Sequence, residues 1–224
     1  MEESHIALVS MKLGVDSFVS YRCDRAIPLG INVESLTKIL KSANASDTMT
    51  IRADDDGDIL GLVFESSDDP DRISEYNLKL MNIDQEHLSI PDTEYSATIS
   101  MSASEYQRII RDLSALAEIL TITVTKDGVR FSVEGEIGTG AINLKPSTNI
   151  SENDQSVEIS VSEPVSLGFN VKYLLHTCKA GSLANRITLQ MTSDIPALFS
   201  YKLPSGHLNY YMAPTINDGD DNDD

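Results

Sequence analysis

Residues 32–41 read NVESLTKILK, residues 102–111 read SASEYQRIIR and residues 170–179 read NVKYLLHTCK. The three stretches recur about 69 residues apart, as a repeated structural unit would. Each spaces its apolar residues as one face of a short helix. In the first, Val33, Leu36 and Leu40 share a side that Lys38 and Lys41 avoid. In the second, Tyr106, Ile109, Ile110 and Leu113 oppose Arg108 and Arg111. In the third, Val171, Leu174, Leu175 and Cys178 oppose Lys172, His176 and Lys179. A chain of formal net charge −18 thus places six of its 17 basic residues on one repeated element. Any one such helix could simply be solvating its outer face. Three with the same bias point to a polyanion facing them.

Outward from each helix the pattern changes from a period of 3.6 to a period of two. Strands are predicted at 48–53 and 59–65 after the first helix, at 119–125 and 129–134 after the second, and at 187–193 and 197–202 after the third. Asp56-Gly57 and Asp127-Gly128 read as hairpin turns, glycine supplying a positive φ. Further strands are predicted at 4–10, 16–22, 75–81, 96–101, 140–144, 156–161, 165–169 and 207–212. The expected fold class is α+β: a repeated helix–strand–hairpin unit, with antiparallel sheets and three short helices. The expected organisation is a first domain over 1–79, a connector over 80–96, a second domain over 97–216 and an acidic, disordered tail over 217–224.

Composition excludes several classes. Apolar residues at 41% and charged residues at 23% describe an ordinary globular chain. No run of about 18 apolar residues is available to cross a membrane, and no basic segment leading into an apolar one marks a secretory signal. Cys23 and Cys178 imply no disulfide framework, so a reducing compartment, cytosol or nucleus, is expected. Acidity on this scale ordinarily argues against nucleic acid, because the whole-molecule field repels phosphate.

Constellations that could carry chemistry are absent. Asp54, Asp55, Asp56 and Asp58 suggest a calcium loop, but Arg52 and Val63 stand where that loop needs acidic ligands. His5, His87, His176 and His207 show no ligand spacing with the cysteines. Gly138-Thr-Gly140 precedes a strand and so lacks the context of a dinucleotide site. No nucleophile stands beside a base. No cofactor or metal is expected, and the chain reads as a non-enzyme. Leu88, Ile90 and Tyr95, around Pro91, and the run Tyr210-Tyr211-Met212-Ala213-Pro214 offer apolar groups on segments that should lie at the surface. They pack either as satellite core or as a groove for a partner's peptide.

The stretches SYRCDRAIPLGINVESLTKILKSA, EYNLKLMNIDQEHLSIPDTEY, ISMSASEYQRIIRDLS, VTKDGVRFS, GEIGTGAINL and GHLNYYMAP resemble the proliferating cell nuclear antigen (PCNA) family, the eukaryotic DNA sliding clamps. The likeness runs from Met1 to about Ile216. It implies a nuclear, head-to-tail homotrimeric ring around duplex DNA, with helices on the inner wall and antiparallel sheets outside. Such a ring acts as the processivity factor of DNA polymerase delta and engages the clamp loader, flap endonuclease, DNA ligase and repair factors. By the resemblance, inner-wall cations fall on Arg22, Arg25, Lys38, Lys41, Arg72, Arg108, Arg111 and Lys179. The groove for client peptides falls on Met1, His5, Ile6, Leu8, Leu88, Ile90, Pro91, Tyr95, Asp194, Pro196, Tyr211, Ala213, Pro214 and Ile216. Tyr76 and Gly140 match subunit-contact positions, and Lys126 matches a lysine that takes ubiquitin or SUMO.

The resemblance also implies a difference. Family members extend roughly 40 residues beyond the position matching Met1, a strand–helix–strand that supplies one more copy of the repeat. The first domain is therefore expected to be half built, with open sheet edges and a core short of a covering helix. Two other classes fit the residues: a clamp-derived interaction protein that sequesters clients, and a checkpoint-type clamp subunit that joins unlike partners.

Overall fold

A computed structural model describes residues 7–69, 71–83, 93–147, 156–193 and 195–215. The chain divides into two compact units, one of residues 22–91 and one of residues 1–21 with 92–224.

The larger unit holds two copies of the repeat. The first runs β5 (Ala97–Ser102), α2 (Ala103–Ser114), β6 (Ile119–Thr125), β7 (Gly128–Gly135) and β8 (Gly138–Leu144). The second runs β10 (Val165–Asn170), α3 (Val171–Cys178), β11 (Arg186–Met191), β12 (Ala197–Leu203) and β13 (Gly206–Met212). The two copies exchange strands. β10, which leads into α3, pairs with β6, which follows α2; β5, which leads into α2, pairs with β11, which follows α3. With β1 (Ala7–Leu13) and β9 (Glu158–Val161), this gives a six-stranded sheet β1-β13-β12-β11-β5-β9 and a four-stranded sheet β10-β6-β7-β8.

Alternation makes each strand two-faced. Leu120, Ile122 and Val124 of β6 and Ile187, Leu189 and Met191 of β11 turn inward and are wholly buried. Tyr106, Ile110, Leu174 and Cys178 of the helices complete that core, with Phe131, Phe169 and Phe199. Phe169 meets Phe199 edge-on, with ring centroids 5.6 Å apart. Two polar groups are buried with partners: Tyr106 Oη lies 2.9 Å from Thr177 Oγ1 where α2 meets α3, and Tyr201 Oη donates to the Thr177 carbonyl at 3.0 Å.

The smaller unit contains one copy: α1 (Val33–Leu40), then β2 (Thr48–Ala53), β3 (Ile59–Glu65) and β4 (Ile73–Lys79), in the order β2-β3-β4. Asn32 starts α1 by accepting the Ser35 N–H at 2.8 Å, an N-cap its short polar side chain suits. Asn170 does the same for α3 through the Lys172 N–H at 2.9 Å. Among the described residues only Leu60, Leu62 and Phe64 are fully buried here, and no residue of α1 is.

Three expectations change. Residues 16–22 form no strand: Val15–Ser17 make a 3-10 turn, with the Gly14 N–H donating to the Ser205 carbonyl at 2.6 Å. Phe18, Val19 and Tyr21 beyond it are exposed, and among the described residues no neighbouring strand offers them a ladder. The N-terminal strand belongs with the larger unit and not with residues up to 79, because β1 pairs along its whole length with β13. Gly57 does not take a positive φ, whereas Gly128 does. The Asp54–Asp58 loop is long enough to close through the Gly57 N–H on the Asp54 carbonyl at 3.2 Å. The proposed tail over 217–224 and most of the connector, 84–92, lie outside the described residues.

Burial pushes the Cys178 thiol up to about 11, against an ordinary 9.0. The unfolded chain therefore loses this proton first as pH rises, so the stability the buried thiol confers is full below pH 9 and is lost towards pH 11. Urea unfolding followed by circular dichroism should show the larger unit weakening by up to about 1.4 kcal/mol per pH unit from this group across that window. Cys178→Ala should reduce the slope.

Candidate nucleic-acid interface and partner groove

The three helices carry basic residues at matched positions of the ten-residue repeat. Position seven is Lys38, Arg108 and His176; position ten is Lys41, Arg111 and Lys179. All six are exposed. The two positions differ in what surrounds them. Lys38 Nζ lies 2.7 Å from Glu34, and Arg108 lies 3.8 Å from both Glu105 and Asp112. These are the helical i, i+3 and i, i+4 spacings. The position-ten cations have no ion pair among the described residues. Each stands in the last turn or at the C-cap, where the helix dipole favours positive charge.

The remaining candidate cations lie in the smaller unit outside its helix. Arg22 forms a two-pronged bond with Asp24, at 2.7 and 3.2 Å. Arg25 lies 3.0 Å from Asp55 and 3.8 Å from Asp56, in the turn that joins β2 to β3. Arg72 is exposed in the turn before β4 and has no ion pair among the described residues. Among the described residues no cluster of His, Cys, Asp or Glu could hold a metal, which includes Asp54–Asp58.

The second constellation lies on the outer face of the six-stranded sheet. Register sets Leu8 beside Tyr211 and Tyr211 beside Leu198, three side chains in a row across β1, β13 and β12. All three are half-buried. The Asn209 side-chain amide donates to Tyr211 Oη at 3.3 Å and fixes the ring. Tyr95 lies close by: burial first, and then the neighbouring Tyr211 phenol, push its ionisation up. Ala213 and Pro214 continue beyond β13, and the Thr215 N–H donates to the Gly168 carbonyl at 2.8 Å. Pro196 is exposed at the start of β12. Of the described groove candidates, Leu8 and Tyr211 share one sheet face, and Tyr95 is near Tyr211. Met1, His5, Ile6, Leu88, Ile90, Pro91, Asp194 and Ile216 lie outside the described residues. Leu198 was missed from the sequence, although the alternation of 197–202 already turned it away from the core.

The subunit-contact candidates both sit on edge strands. Tyr76 is on β4 and packs edge-on against Phe64, with centroids 5.7 Å apart; Gly140 is on β8. At Gly140 a Cβ would come within 2.8 Å of Leu116 Cδ1. Lys126 is exposed at the tip of the β6–β7 hairpin.

Repeated strand–helix–hairpin copies, exchanging strands beneath helices with basic outer faces, define an α+β DNA sliding-clamp fold. Comparison with known proteins agrees. Residues 1–87 match the family description "Proliferating cell nuclear antigen, N-terminal domain" and residues 89–216 match "Proliferating cell nuclear antigen, C-terminal domain". The proliferating cell nuclear antigen of Chaetomium thermophilum (strain DSM 1495 / CBS 144.50 / IMI 039719) is 52% identical over 219 residues, which cover 97% of this chain and 84% of that protein. The chain belongs to the proliferating cell nuclear antigen family, the DNA sliding clamps.

The carboxylates around Arg108 compete with any polyanion for it. Glu105→Gln with Asp112→Asn should tighten binding to a short DNA duplex several-fold at low salt, and the gain should fade as salt rises. Fluorescence anisotropy of a labelled duplex across a salt series reads both effects.

Proposed function

We propose that the chain works as a ring-forming clamp that encloses duplex DNA and tethers replication and repair enzymes to it. The observation that carries this reading is the recurrence at position ten of all three helices of a cation, Lys41, Arg111 and Lys179, with no ion pair among the described residues, in a chain of net charge −18. Free non-specific DNA binding is weak, with Kd about 10⁻⁴–10⁻⁶ M at physiological salt. An enclosing ring needs no more than that, since escape is prevented by topology. Arg22, Arg25, Lys38, Arg72 and Arg108 add contacts that must first be released from carboxylates or turns.

Ring closure needs a heterologous contact repeated head to tail. β4 and β8 are free edges in their sheets and carry Tyr76 and Gly140, so one copy's β4 joining the next copy's β8 would satisfy both rows of backbone groups. The homotrimer is the closed form this reading takes. Clients, including DNA polymerase delta, the clamp loader, flap endonuclease and DNA ligase, dock by an apolar anchor on Leu8, Tyr95, Leu198 and Tyr211. Lys126, exposed on a hairpin tip, takes ubiquitin or SUMO in this reading. The protein acts in the nucleus, and it performs no covalent chemistry.

Lys41→Glu, Arg111→Glu and Lys179→Glu together should abolish stimulation of processive synthesis on primed circular DNA while leaving client-peptide affinity unchanged. Normal processivity in that variant sinks the DNA-facing assignment. Separately, Tyr211→Ala should weaken a client peptide by about 1–3 kcal/mol by calorimetry, the range of a buried anchor. DNA retention should be untouched.

A further inference from the structure

The outer face of the six-stranded sheet continues past the row Leu8–Tyr211–Leu198. Two residues along, β1, β13 and β12 set Ser10, Asn209 and Ser200 side by side. Two further, they set Lys12, His207 and Lys202 side by side. Directly paired residues share a face and alternate residues return to it, so the three rows look outward together. The face grades from apolar through neutral polar to basic over four residues of strand, about 14 Å. None of these nine residues is acidic, in a chain with 35 acidic residues against 17 basic ones.

The middle row is tied within the sheet. Ser200 Oγ donates to the Asn209 carboxamide oxygen at 2.6 Å, and the Asn209 amide donates to Tyr211 Oη at 3.3 Å. The basic row is different. Lys12 and Lys202 are exposed, and none of Lys12, His207 and Lys202 has an ion pair among the described residues. Like charges set opposite one another across strands repel. Lysine on an edge strand commonly discourages stray pairing, which accounts for Lys12 on β1. It does not account for Lys202, because β12 lies between β13 and β11. Arg186 of β11, two residues from the Thr188 that pairs with Ser200, extends the same face. Its guanidinium turns to Ser100 at 3.0 and 3.2 Å, to Ser156 at 3.2 Å and to Glu158 at 3.4 Å. Arg186 thus has a carboxylate of its own.

We propose that Lys12, His207 and Lys202 receive acidic side chains of a client peptide whose apolar anchor occupies Leu8, Tyr211 and Leu198. The inference rests on the client groove of the proposed function and adds a charge requirement to it. Lys12 and Lys202 stand two strand spacings apart, about 10 Å, on either side of His207. A carboxylate over the His207 ring accepts an imidazole N–H and lies within reach of both ammonium groups. An extended client covers the distance from anchor to basic row in four residues. Clients with Asp or Glu at that spacing are preferred over neutral ones. The preference is electrostatic and exposed, so salt removes it.

Calorimetry on the full chain with two synthetic peptides tests this. Both carry the same pair of aromatic anchor residues. One has three aspartates on each side, beginning four residues from the anchor; the other has asparagines there. At 0.1 M NaCl the aspartate peptide should bind at least about fivefold tighter, from two or three exposed ion pairs. At 0.5 M NaCl the two should converge. Lys12→Ala with Lys202→Ala should bring the aspartate peptide down to the asparagine peptide, whose unchanged affinity reports an intact groove. Equal affinities in the native chain overturn the proposal and leave the groove standing, as does an aspartate preference that survives the double substitution. Binding of neither peptide overturns the groove reading and this inference with it. A preference that emerges only when the five aspartates of residues 217–224 are changed to asparagine overturns it in favour of that segment as the occupant.

Discussion

The larger unit depends on the exchange of strands between its two repeats. One repeat alone is a helix lying on a hairpin, with too little apolar surface to close a core. When β10 joins β6 and β5 joins β11, each copy lends the other a strand at the point where its sheet would otherwise end. The same exchange drives α2 onto α3 and buries the Tyr106–Thr177 pair between them. A buried hydroxyl pair has few acceptable geometries, since a lost partner costs about 1–3 kcal/mol. The crossing is thus fixed by chemistry as well as by shape. In the smaller unit, which shows one repeat, the fully buried core among the described residues is Leu60, Leu62 and Phe64.

Much of this was legible before any coordinates. The helix period and the alternation of the flanking strands are local signals, and α2, β2, β3, β6 and β12 fall where those signals put them. What the pattern could not tell was partnership. Residues 16–22 carry strand-favouring Phe18, Val19 and Tyr21, yet no neighbouring strand among the described residues is there to complete a ladder, and the segment turns instead. β1 reads correctly as a strand, but nothing local says that its mate is β13, some 200 residues away. Strand type belongs to the sequence window; strand pairing belongs to the sheet edge available.

The candidate sites follow the same division. Cations on the repeated helices were visible as a periodic charge bias. The pairing of Lys38 and Arg108 at position seven was implicit in the i, i+4 placement of Glu34 and Asp112, and the contrast with position ten, which has no ion pair among the described residues, needed only a comparison across repeats. The row Leu8–Tyr211–Leu198 was half seen. Tyr211 stood out in the apolar run 210–214 and Leu8 came through likeness to a family, whereas Leu198 was set beside them by the register between β12 and β13.

The carboxylates at position seven have a kinetic consequence. A phosphate that reaches Lys38 or Arg108 displaces Glu34, Glu105 or Asp112, and when it leaves the carboxylate returns. Exposed pairs of this kind are worth about 0–1 kcal/mol, so the swap is nearly neutral in both directions. A duplex threading past these helices would meet little corrugation, and drag would stay low even where contacts are many. In the proposed clamp, acidic neighbours on a basic face would act as lubricant.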